Sequence, residues 1–161
     1  VKQRLGTAQH LVERFFGHLR AEAPGPVDQQ YVHDHLRDAC ARVFWTQGHA
    51  DQRHAVTVAR RVEHLLGDDD EAIEAALLHD IGKRTANTGA ITRSIATVLD
   101  AARLPMTAKM RAYRDHGPHG AGVLQEAGCG SLAVAFAREH PAGPPDDVDP
   151  VRWNALIEAD G

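Results

Sequence analysis

The chain has 161 residues, 43% hydrophobic and 25% charged, a profile expected of one soluble globular domain around a single core and too short for a multidomain machine. Eighteen Lys and Arg against 22 Asp and Glu leave a formal net charge of −4, so no overall basic field draws the chain to nucleic acid or to an anionic membrane. No stretch approaches the ~18 consecutive apolar residues of a membrane span, and residues 1–19 carry Lys2, Arg4, Glu13 and Arg14 where a signal peptide needs an unbroken apolar run.

The expected compartment is therefore the cytoplasm, and the opening Val1 is expected to follow an initiator or tag residue that is not numbered. Cys40 and Cys129 are far apart and form no CxxC pair, so both are expected to be reduced and buried, with no zinc ribbon or disulfide framework.

Abundant alanine, short β-branched runs and turn residues between segments of helical period predict an all-α chain. Residues 5–20 are expected to form a first helix with Leu11, Phe15 and Leu19 on one stripe, ended by Pro24-Gly25-Pro26 and packed on the bundle because it is too short for a core of its own. A second helix, capped by Asp28, runs to about Thr46, and Gly48 breaks the pattern. A third, 51–66, places Val58, Val62, Leu65 and Leu66 on the side of His54.

The apolar run 72–80 predicts a buried core helix, with Gly82 as its C-terminal cap. After a polar loop at 83–89, helices are expected at 91–104, 106–115, 120–127 and 132–139, separated by Pro105, Gly117-Pro118 and Gly128–Gly130. A Pro- and Asp-rich loop over 141–150 precedes a last helix at 151–160.

The segment Leu77-Leu78-His79-Asp80-Ile81-Gly82-Lys83 sets an imidazole beside a carboxylate at the end of an apolar helix. Unpaired, such groups cost several kcal/mol to bury. A divalent cation turns that cost into binding energy. Two ligands do not hold such an ion, so further His or carboxylate groups must come from other helices, and His54, His116, His140 and Asp160 are the candidates. No GxxxxGK[ST] loop, GxSxG elbow or HExxH helix is present to support other chemistry.

Residues 77–83 resemble the HD motif, in its HDIG form, of the HD superfamily of metal-dependent phosphohydrolases. The likeness extends over 53–160. His54 in Arg53-His54-Ala55 is similar to that family's first His, and His116-Gly117-Pro118-His119-Gly120-Ala121 to a His followed by Gly-Ala. His140 after Glu139 resembles a later His, and Asp160 after Ala159 the terminal Asp.

The resemblance implies a single HD-type bundle of about seven or eight helices, with 51–161 as the metal-binding core and 1–26 as an N-terminal helix and linker. It further implies that His54, His79, Asp80 and Asp160 hold one transition-metal ion and that Asp80 bridges to a second, completed by His116 and His140. Iron, manganese, nickel, cobalt and zinc all suit these ligands.

The expected reaction is hydrolysis of a small phosphate ester or anhydride, a nucleotide or dinucleoside polyphosphate, with Asp80 and Lys83 catalytic. Lys83, Arg84, His119, Arg111 and Arg114 are the expected substrate contacts, His119 standing in the pocket beside the ligand His116. The same ligand set also fits a mixed-valence di-iron oxygenase, and the fold also fits a metal-binding signalling module without catalysis.

Overall fold

A computed structural model describes residues 22–84, 116–139 and 142–161. The first expected helix, those at 91–104 and 106–115, and the residues Arg111, Arg114 and His140 lie outside the described residues, as do the side chains of Lys83, Arg84 and His116. Among the described residues the fold is all-α, with no strand: α1 Pro26–His35, α2 Asp38–Phe44, α3 His49–Leu66, α4 Asp70–Leu78, a 3-10 turn Ile81–Arg84, α5 His116–Glu126, α6 Ser131–Glu139 and α7 Pro150–Asp160. No helix among them is long and apolar enough to cross a membrane.

The expected second helix is two. Leu36 and Arg37 adopt extended backbone between α1 and α2, a step that turns Leu36 into the core and lets Cys40 and Phe44 follow it there. The N-cap of α1 is Gly25 rather than Asp28, because Pro26 takes the first helical position, where its missing N–H costs nothing. Helix α3 starts at His49, two residues before the expected Asp51. Helix α4 begins at Asp70 because the Asp69 carboxylate accepts the Ala72 N–H at 3.2 Å. It closes at His79, and Gly82 belongs to the following 3-10 turn instead of capping the helix.

Helix α5 begins at His116, so Gly117-Pro118 is its first turn and not a separator. Helix α7 is started by Asp149, whose carboxylate accepts the Val151 N–H at 2.8 Å.

The core sits around α4, whose Ile73, Leu77 and Leu78 are wholly buried. Helices α3, α6 and α7 pack against it, with Val58, Phe136 and Trp153 reaching in from them. Phe136 and Trp153 meet edge to face at 4.9 Å, and Trp153 Nε1 donates to the Ala142 carbonyl at 2.9 Å, so its polar edge is satisfied while its rings fill the core. Two glycines allow backbones to touch near the end of α4. A Cβ on Gly120 would come within 2.8 Å of the Gly82 nitrogen, and one on Gly117 within 2.6 Å of the Arg138 carbonyl oxygen. Helix α5 is thereby seated against the 3-10 turn and against the end of α6.

Candidate metal centre

Three helix ends bring four of the six expected ligands together. On α3, His54 shares a face with Val58 and Val62, both wholly buried, so the helix that fills the core with valines presents its imidazole at the core's edge. On α7, Trp153, Leu156 and Asp160 recur at helical spacing, and burial of the first two aims the third inward. Arg61 of α3 fixes the end of α7 by donating from Nη1 to the Ala159 carbonyl at 3.0 Å, one of the carbonyls that a helix C-terminus leaves without an intrahelical partner. His79 and Asp80 follow α4 directly and are 1% and 2% exposed.

His79 Nδ1 lies 2.8 Å from the Ala76 carbonyl oxygen, which only an N–H can approach as a hydrogen-bond partner. Nδ1 therefore carries the proton, and in the neutral ring Nε2 carries the lone pair. That Nε2 faces Asp160 Oδ1 at 3.3 Å and Asp80 Oδ2 at 3.4 Å. His54 Nε2 meets the same Asp160 Oδ1 at 2.9 Å. The two imidazoles stand edge to face with centroids 5.5 Å apart, and ligand atoms of His54, His79 and Asp80 all lie within 4.8 Å of one another.

A lone pair aimed at two carboxylate oxygens is repelled unless a positive charge lies between them. The metal-free protein supplies that charge as a proton. Burial works against the His79 imidazolium, but the Asp80 charge and the hydrogen bonds with Asp160 and Asp80 outweigh it and lift the pKa from 6.5 to about 10. Hydrogen bonds from His54 and then from His79 hold the Asp160 carboxyl well below its ordinary 3.8, against the opposing effect of burial. A divalent cation satisfies the same groups with more charge. Two imidazole nitrogens and two carboxylates are a mixed set that suits first-row transition metals, and the bond from Nδ1 to a backbone carbonyl is the outer contact by which metal-binding histidines are commonly oriented. The residues fit such an ion.

His54, His79, Asp80 and Asp160 are thus brought together. Of the other expected site residues, His119 is exposed on the first turn of α5. The turn begins at His116, so a residue one position ahead of the close contact at Gly120 is carried to the outer face. The backbones of Lys83 and Arg84 lie in the 3-10 turn beside Asp80.

The expectation of two separate, reduced cysteines is overturned. Cys40 and Cys129 form a disulfide, with Cα atoms 5.8 Å apart across a sequence separation of 89. Packing of α2 against the turn that follows α5 makes the pairing, a contact that no local pattern encodes. Glu74 of α4, which the sequence did not single out, stands beside that pair.

No protein-family model matches the chain, and neither a curated protein nor a solved structure does.

Proposed function

We propose that the protein is a metal-dependent phosphohydrolase acting on a small phosphate ester or anhydride, with a nucleotide as the favoured substrate. The observation that carries the reading is His79 Nε2 facing two carboxylates while Nδ1 is tied to the Ala76 carbonyl. A divalent cation bound there supplies Lewis acidity toward phosphoryl oxygen and brings the pKa of water from 15.7 toward ~7.

The chain's own residues then divide the work. His79, deprived of solvent and fixed by its backbone bond, is a rigid nitrogen donor. Asp80, equally buried, contributes negative charge that balances the cation and orients attacking water through its carboxylate. His54 and Asp160 complete the set with side chains 38% and 29% exposed, and on this reading substrate would reach the centre past them. On this reading Lys83, which follows Asp80 in the 3-10 turn Ile81–Arg84, would neutralise a substrate phosphate. A second ion, on this reading, would be held by His116 and His140 together with Asp80.

The test is elemental analysis of the purified protein followed by a screen of phosphate esters, nucleotides and dinucleoside polyphosphates with manganese under anaerobic conditions. Phosphate release that disappears in His79→Ala and Asp80→Ala is the expected result. Release that survives both substitutions refutes the mechanism, and oxygen consumption with an organic substrate in a parallel aerobic assay, with no phosphate release in the anaerobic one, refutes the reaction class.

A further inference from the structure

The cysteine pair lies apart from the groups that the proposed function employs. Cys40 is wholly buried on α2, and Cys129 is half-buried in the turn joining α5 to α6. Glu74, on the solvent-accessible side of α4, approaches both: its carboxylate and the two sulfurs all lie within 4.8 Å of one another. Glu74 Oε1 also accepts the Gly130 N–H at 3.2 Å, which holds the carboxylate against the turn that carries Cys129. A disulfide by itself makes no use of a carboxylate. Two thiolates and a carboxylate, in contrast, are ligands for a thiophilic divalent ion, which zinc exemplifies with bonds of ~2.3 Å to sulfur and ~2.0–2.2 Å to oxygen.

We propose that Cys40, Cys129 and Glu74 form a redox-gated site for a thiophilic divalent cation, closed while the cysteines are joined and opened when they are reduced. A dithiol reductant supplies two electrons and two protons: the S–S bond breaks, both cysteines become thiols, and the reductant becomes a disulfide. Binding of the cation then releases the two thiol protons to solvent and leaves two thiolates and the Glu74 carboxylate around it. Because Cys129 and Glu74 are only half-buried, a fourth position stays open to water. The ligands come from α2, α4 and the turn between α5 and α6, so the bound cation crosslinks α4 to the two elements that the oxidised form ties through Cys40 and Cys129. Sulfur in this set distinguishes it from the nitrogen and oxygen ligands at the far end of α4, and gives it a separate spectroscopic signature.

The experiment is a cobalt titration of the full-length protein, either reduced by a dithiol and desalted without oxygen or left oxidised. The reduced protein is expected to develop a thiolate-to-cobalt charge-transfer band whose final intensity corresponds to one cobalt per cysteine pair and which is bleached by zinc, while the oxidised protein shows none. The band should vanish in Cys40→Ser and Cys129→Ser, persist in His79→Ala, and require on the order of 10–100-fold more cobalt in Glu74→Gln. Absence of the band in protein whose two thiols have been counted by a thiol reagent overturns the proposal, as does a band that survives Cys40→Ser. Should the serine variants fail to fold, wild-type protein alkylated after reduction replaces them. Helical circular dichroism with no band is then expected, and a retained band overturns the assignment.

Discussion

The two ends of α4 carry similar side chains in opposite settings. At its N-terminus, Asp69 and Glu71 meet Arg152 of α7 at 2.7 Å each, with side chains well open to solvent in Glu71 and partly so in Asp69 and Arg152. Those carboxylates are satisfied by a cap, by an arginine and by water. At its C-terminus, His79 and Asp80 are shut away from water and face a further carboxylate, Asp160. The acidic end is richer in charge, and the buried end is the candidate for a cation. Burial of like-charged acceptors around a nitrogen lone pair, rather than the number of acids, marks the candidate site.

The largest effect that would sharpen this contrast is expected at the buried end. Asp80→Ala or His79→Ala should weaken divalent-metal affinity by at least ~100-fold, since each removes a ligand outright and exceeds the cost typical of losing an outer contact. Equilibrium dialysis with manganese measures it. Gly120→Ala comes next: its methyl group must enter the space of the Gly82 backbone, and overpacking of that kind costs about 1–3 kcal/mol in urea unfolding.

The pH dependence is a further test. The metal-free His79 has a folded pKa raised above 6.5 to about 10, so its stabilisation is complete below pH 6.5 and is lost as pH rises toward about 10. Asp160 is depressed below 3.8, so its contribution is complete above that value and is lost as pH falls below it. Thermal melts of stripped protein should therefore show this centre contributing most between pH 3.8 and 6.5. A metal displaces the His79 proton, so affinity should rise with pH up to about 10. Affinity that is flat over this range would break the assignment of that proton. The smallest effect belongs to the acidic end, where Arg152→Ala should cost no more than ~1 kcal/mol and leave metal affinity unchanged.

Much of the fold was legible because its punctuation is chemical. The end of the Pro- and Asp-rich loop and the onset of the apolar run at 72 put helix starts within two residues of Pro150 and Asp70, which Asp149 and Asp69 cap. The break at Leu36–Arg37 was not legible, since apolar residues keep helical spacing across it and only burial of Leu36 shows why the chain steps aside. Of the site, His79-Asp80 announced itself as polar residues closing an apolar helix. His54 and Asp160 came from a resemblance in order and context, and the geometry now joins them through a shared carboxylate oxygen. Cys40, Glu74 and Cys129 were beyond reach for the opposite reason: no periodic or local signal relates them, and they meet only once α2, α4 and the turn after α5 have packed.

Calorimetric titration of metal-stripped protein with manganese at neutral pH, wild type against Asp80→Asn, tests the central claim most directly, because the substitution keeps the shape of the side chain and removes its charge. The account predicts saturable binding in the wild type, with a proton released, and none in the variant over the same range. Equal binding by both proteins, or none by a folded wild type, would contradict it.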